Sequence, residues 1–248
     1  MARSIRTVRL VVGSVVLLTV FPQLAQAQAS PYLNWSSCAP PSGVPLQTFA
    51  CDGDTGAPFD LILTLIPPET VSNVSSATAF IEFESDQATL PDWWQIQPGG
   101  CRADDFSVDP SPPYPSGCVD AWLGRATITA QFQTPCDTRS QVVLLRAIVP
   151  PGVPLTLSQG IRYAIFRLRF SRGNTGGAGA CGGCSFSACF WNDGAVVESA
   201  TTGAYTFGSG GTAASWQSAV DCRGGGIDFC GPTSTGRPTW GAIKSLYR

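Results

Sequence analysis

The sequence predicts an antiparallel all-β sandwich, rich in disulfides and closed by a short C-terminal helix. Three observations predict it. Apolar residues recur with period two in short runs bounded by Pro, Gly, Ser and Asp, the pattern of strands rather than helices. Glycine and proline are abundant, at 27 and 20 of 248 residues, which suits a chain that turns often. The ten cysteines form an even set, as a disulfide framework requires. A content of 44% hydrophobic and 13% charged residues supports a packed core rather than disorder.

The chain divides into three parts. Residues 1–29 read as a secretory signal peptide: Arg3, Arg6 and Arg9 give a positive n-region, Leu10 to Phe21 an apolar h-region, and Ala25-Gln26-Ala27 and Ala27-Gln28-Ala29 overlapping cleavage sites. Pro22 and Gln23 end the apolar run short of the roughly 20 residues that a membrane span needs, and no later stretch approaches that length. After cleavage no transmembrane segment is expected, and the mature chain is expected to be secreted, at the cell surface or in the periplasm. Residues 30–238 read as one sandwich domain, with no clear linker, and 239–248 as an amphipathic tail.

Within the domain, Leu61 to Ile66, Val142 to Val149 and Ile161 to Phe170 are apolar on both sides for part of their length, as central strands are. Half-buried strands are expected at Ala79 to Glu84, with Ala79, Ile81 and Phe83 inward and Glu82 and Glu84 in water, and at Ala126 to Phe132. Strand, double proline, spacer, strand occurs twice, around Pro67-Pro68 and Pro150-Pro151. Proline lacks an amide proton, so each pair should end a strand. Asp104 to Gly117 reads as a long loop, and Gly203 to Gly211 and Arg223 to Gly236 as Gly-rich loops.

Disulfides are the expected state of Cys38, Cys51, Cys101, Cys118, Cys136, Cys181, Cys184, Cys189, Cys222 and Cys230 in an exported chain. Short-loop closure would join Cys38 to Cys51, Cys101 to Cys118 and, less strongly, Cys222 to Cys230, although sequence leaves the connectivity open. The alternative for Cys181, Cys184, Cys189 and Cys222 is a zinc or iron-sulfur site. Only one CxxC knuckle exists and the expected compartment is oxidising, so disulfides outweigh metal. A thioredoxin-like role for the CxxC is weaker still, because the flanking glycines favour a loop over a helix start.

Charge and composition exclude several functions. All 15 basic residues except Lys244 are arginine, and histidine is absent, which removes Ser-His-Asp and Cys-His pairs, HExxH zinc sites and histidine proton shuttles. Signal cleavage makes the chain more acidic than its formal net charge of −2, and it carries no basic run, so no nucleic-acid partner is expected.

Candidate sites are few. Trp93 and Trp94, with Trp122, could present a platform for a sugar ring if the pair lies on a strand and points to opposite faces. The competing expectation, that these tryptophans fill the core, is favoured, and Trp191 and Trp216 carry the same ambiguity. Asp52, Asp54 and Asp60 have the opening spacing of a calcium loop, but Leu63 stands where the closing acidic ligand belongs, so a solvated turn is favoured. Glu82, Glu84, Asp86 and Asp92 are near enough in sequence to suggest the carboxylate pair of a glycosidase, a remote reading. Asn34 and Asn73 open glycosylation sequons. In the tail, Trp240, Ile243 and Tyr247 recur at helical spacing beside Lys244, as either a cap on the sandwich or a handle for an export or attachment system.

The segments Leu90-Pro91-Asp92-Trp93-Trp94-Gln95, Gly100-Cys101-Arg102, Cys181-Gly182-Gly183-Cys184 with Cys189, and Thr239-Trp240-Gly241-Ala242-Ile243-Lys244-Ser245-Leu246-Tyr247-Arg248 resemble those of a group of secreted bacterial proteins with no established activity. The resemblance implies an exported, disulfide-bearing β protein. In architecture the chain is also similar to cohesin-like and carbohydrate-binding-module-like sandwiches. The expectation is a non-catalytic structural or adhesive protein of the cell exterior, or alternatively a carbohydrate-binding module, partnered by extracellular polysaccharide or another surface protein. No cofactor is expected; calcium and zinc are the alternatives named above.

Overall fold

A computed structural model describes residues 31–39, 45–109, 114–115, 117–133, 138–208 and 213–218. The signal segment, Cys136, Cys222, Cys230 and the tail residues Trp240, Ile243, Lys244 and Tyr247 lie outside the described residues, as do the expected Cys222 to Cys230 link and the C-terminal helix.

Among the described residues fourteen strands and two short 3-10 turns follow in chain order: β1 (Tyr32–Trp35), β2 (Leu46–Gln47), β3 (Phe59–Leu65), β4 (Val71–Ser72), β5 (Val74–Ser85), η1 (Asp92–Trp94), η2 (Ala103–Asp105), β6 (Phe106–Val108), β7 (Val119–Asp120), β8 (Thr127–Gln133), β9 (Ser140–Ile148), β10 (Thr156–Leu157), β11 (Tyr163–Phe170), β12 (Ala188–Ser199), β13 (Gly203–Phe207) and β14 (Ala214–Trp216). One sheet runs β1-β3-β11-β6, with β7 alongside β11. The other runs β2-β14-β12-β5-β9-β8, with β13 alongside β12. Pairing is antiparallel except for two short contacts, β7 with β11 and β2 with β14.

The two sheets face each other across a core built from alternate residues. Leu33, Leu61, Leu63, Leu168 and Phe170 of the first sheet meet Ala79, Ile81, Phe83, Val143, Leu145 and Phe190 of the second. Rings bridge the layers, with Trp35 edge-on to Phe190 at 5.2 Å and Phe106 against Phe132 at 5.7 Å. The inward set expected for β5 is buried as the alternation required. Glu82 departs from expectation. It points away from the inner layer, yet it is buried rather than in water.

Each double proline marks a change of sheet. The chain leaves β3 at Pro67-Pro68 and enters β5 in the opposite layer; it leaves β9 at Pro150-Pro151 and returns to β11 in the first. The two crossings meet, because β4 and β10 pair with each other. Leu65 faces Tyr163 across β3 and β11, while Ile148 faces Ser76 across β9 and β5. The second unit therefore repeats the first in topology.

Two expected loops contain strands. β6 lies within Asp104 to Gly117, and β13 occupies the start of Gly203 to Gly211. The cysteine pairing also differs from the short-loop expectation: Cys38 bonds Cys118, Cys51 bonds Cys184 and Cys101 bonds Cys181, across sequence separations of 80, 133 and 80 residues. Cys189 is disulfide-bonded as well. Residues distant in sequence are neighbours across a sandwich, so the fold and not loop length selects partners. No helix among the described residues is long and apolar enough to cross a membrane.

Candidate functional site: an amide-lined groove beside the tryptophan turn

Pro91 fixes an extended entry, and the chain then closes the tight turn η1, in which Trp94 donates its amide to Pro91 O at 2.9 Å and Gln95 to Asp92 O at 3.1 Å. The expected strand placement of Trp93 and Trp94 is thereby corrected. Both rings turn inward, and with Trp122 they are fully buried, offering no face to a sugar. Trp216 is fully buried too, whereas Trp191 is half-buried. Trp93 stacks on Trp216 at 4.8 Å and meets Trp94 edge-on at 4.5 Å. Its indole donates to Thr175 Oγ1 at 3.1 Å, the Trp122 indole to Ile165 O at 2.7 Å and the Trp216 indole to Cys184 O at 2.7 Å.

Arg102 holds this assembly together. Its guanidinium lies 3.8 Å over the Trp93 ring, fully buried. It donates to Gly173 O at 3.2 Å, to Trp93 O at 3.3 Å and to Ser171 O, and pairs with Asp105 at 3.5 Å. Burial pushes its pKa down to about 10, against the opposing pull of Asp105, and it stays charged at neutral pH. The loop 181–184 is drawn against η1 by the bonds from Cys101 and Cys51 and by the Trp93 amide, which donates to Gly182 O at 2.8 Å. The approach demands glycine: Gly183 has φ +99°, and a Cβ there would overlap Pro91 Cβ.

Outside this buried block the surface opens into a groove of about 870 Å³. Leu90, Pro91, Asp92, Gln95 and Gln97 line the side formed by the tryptophan turn. Gly182, Gly183 and Phe186 come from the cysteine loop, Phe132 and Gln133 from the end of β8, Ser140 and Gln141 from the start of β9, and Thr138 from the turn before it. Gln87 and Thr89 complete it. Backbone bonds fix the walls to one another, with Leu90 N donating to Thr138 O at 2.8 Å and Ser85 N to Arg139 O at 3.0 Å. Gln95 donates to Asp92 Oδ1 at 2.9 Å, which orients both side chains, and Gln141 donates to Gln133 O at 3.0 Å. Phe186 is 43% exposed, an uncommon state for a large aromatic ring. Gln97 Oε1 is buried and accepts no hydrogen bond. Among the described residues of the lining, Asp92 is the sole ionisable side chain.

The other sequence candidates are placed differently. Asp54 Oδ1 accepts from the amides of Thr175 at 2.7 Å and Gly176 at 2.6 Å, so it pins the Gly-rich loop instead of opening an ion site. Asp60 takes a bidentate bond from Arg169, at 2.8 and 3.0 Å, and Asp52 does not join them. Beside that pair Arg167 reaches Asp109 at 2.5 Å and lies 5.2 Å from the Tyr114 ring centre. Burial, then Asp120, pushes the Tyr114 phenol well above its ordinary pKa. With Cys181, Cys184 and Cys189 in disulfides, the zinc alternative loses three of its four ligands, and no group of three or more acidic or sulfur ligands gathers among the described residues. Of the carboxylates considered for a glycosidase, Glu84 pairs with Arg139 at 2.7 Å, and among Glu82, Glu84, Asp86 and Asp92 it is Asp92 that lines the groove. Among the groove residues, Asp92 and the tryptophan turn were candidates from sequence and Gln95 closed the segment that begins at Leu90; Gln87, Gln97, Gln133, Gln141 and Phe186 carried no motif.

Comparison with protein families, with curated proteins and with solved structures finds no match. The fold and site define an all-β sandwich cross-linked by disulfides, with an amide-lined groove that carries one carboxylate, Asp92, beside a buried Arg-Trp block.

Proposed function

We propose that the protein is a non-catalytic adhesive module of the cell exterior, and that the groove takes a neutral, hydroxyl-rich polymer, a polysaccharide. The observation that carries this reading is the lining. The lining contains the amide-bearing Gln87, Gln95, Gln97, Gln133 and Gln141, the hydroxyl-bearing Thr89, Thr138 and Ser140, and the exposed ring of Phe186. Amides both donate and accept, matching hydroxyls that do the same, and an exposed phenyl ring supplies the apolar contact for the C–H face of a pyranose. Among the described residues the lining offers no cation to pair with a phosphate or polyanionic ligand. The disulfides and the signal-like N-terminus support export.

Affinity electrophoresis through gels carrying neutral polysaccharides tests the reading. Wild-type protein is expected to be retarded by at least one of them, and Phe186→Ala to weaken that retardation by about threefold to tenfold, the worth of one ring contact. Free migration in every neutral polysaccharide, or retardation unaffected by Phe186→Ala, contradicts it.

A further inference from the structure

The seven-stranded sheet ends on β8, whose outer edge pairs with nothing among the described residues. Sheets usually protect such an edge with a charge, a proline, a bulge or extreme shortness. β8 uses none of these. It is the seven-residue run Thr-Ile-Thr-Ala-Gln-Phe-Gln, and its pairing with β9 is regular from end to end. The other edges are shorter: four residues in β1, three in β6, two in β2.

From this edge we infer that β8 is a self-association site, pairing antiparallel with β8 of a second copy of this chain to make one continuous sheet. The sequence of β8 is self-complementary about Ala130. A two-fold axis there sets Thr127 opposite Gln133, Ile128 opposite Phe132 and Thr129 opposite Gln131, so every apolar residue meets an apolar one and every polar residue a polar one. The exposed positions of β8, Thr127, Thr129, Gln131 and Gln133, stay on one face in this register. Charge agrees with it. Arg146 of β9 sits beside Thr129, whereas Leu144 sits beside Gln131, so the two copies of Arg146 fall in different rows and do not oppose each other. The proposal does not rest on the ligand assigned to the groove.

Sedimentation velocity of the full chain as exported by its host, over a wide concentration range, tests it with two surface variants. Thr129→Glu with Gln131→Glu places two pairs of like charges across the axis, and the dissociation constant should rise about tenfold or more. Thr129→Glu with Gln131→Lys places two opposite pairs there and should restore the wild-type dimer, which also shows that the Thr129→Glu change does not act by unfolding the edge. A wild-type chain that stays monomeric throughout overturns the proposal, as does a dimer indifferent to the double glutamate. Failure of the Glu and Lys combination to restore association overturns the register.

Discussion

Replacing Arg102 by alanine is expected to bring the protein close to unfolding. The side chain is fully buried, and its loss strips charged donors from Trp93 O, Ser171 O and Gly173 O, leaves Asp105 without its cation and opens a void over the Trp93 ring. Breaking a buried charged pair from one side costs about 3–5 kcal/mol, and the lost cation–π contact adds about 1 kcal/mol. Relief of the desolvation that lowers the pKa of Arg102 offsets part of this. The net is about 4–5 kcal/mol, a large share of the roughly 5–15 kcal/mol that holds a domain folded. Arg102→Lys keeps the charge but not the planar fork and should lose about 2–3 kcal/mol. Guanidinium unfolding with disulfides intact, followed by tryptophan fluorescence, measures both, since Trp93 lies directly under the guanidinium. Arg102→Ala within about 1 kcal/mol of wild type, or Arg102→Lys as damaging as Arg102→Ala, would refute the reasoning that links burial, donors and stability here.

Three further outcomes are expected. Converting Cys101 and Cys181 to serine releases an 80-residue loop and should cost about 4–5 kcal/mol by loop entropy, with non-reducing peptide maps of the wild type joining Cys38 to Cys118, Cys51 to Cys184 and Cys101 to Cys181. Gly183→Ala must both adopt a left-handed backbone and push Pro91 away, so it should cost about 2–4 kcal/mol by denaturant midpoint and weaken groove binding at the same time. Burial raises the pKa of Asp193, so ionisation of its carboxylate opposes folding at neutral pH and protonation below the raised value relieves the cost. Asp193→Asn should therefore stabilise the protein at pH 7, with the gain shrinking as pH falls through the raised pKa, in parallel melts of the two proteins.

What could be read from the sequence follows from which forces act locally. The alternation in Ala79 to Glu84 and in Ala126 to Phe132 gave strands and faces directly, because side-chain direction on a strand has period two whatever lies beyond it. β12 was invisible although it is the hub of its sheet. No strand was read there, and its Asn192-Asp193-Gly194 passes through the ladder as an irregularity between β12 and β5. The direction of Trp93 and Trp94 depended on a tight turn instead of a strand, and that turn is held by Arg102 and by the distant loop that contains Gly182. Disulfide partners were illegible for the same reason: a sandwich brings Cys51 to Cys184 through its layers, and no spacing rule encodes that. The groove draws on the tryptophan turn, the cysteine loop and the ends of two strands, and its glutamines have no signature until the fold brings them together.

The most direct test of the central claim is a nitrogen-edited NMR titration of the isotope-labelled, disulfide-intact protein with a neutral oligosaccharide from the polysaccharide that retards it. The groove account predicts saturable shifts clustered at Gln95, Gln97, Gly182, Gly183 and Phe186, with the amides around Pro150-Pro151 and the Asp60-Arg169 pair unmoved. Shifts scattered over the surface, or saturable shifts centred elsewhere, would contradict it.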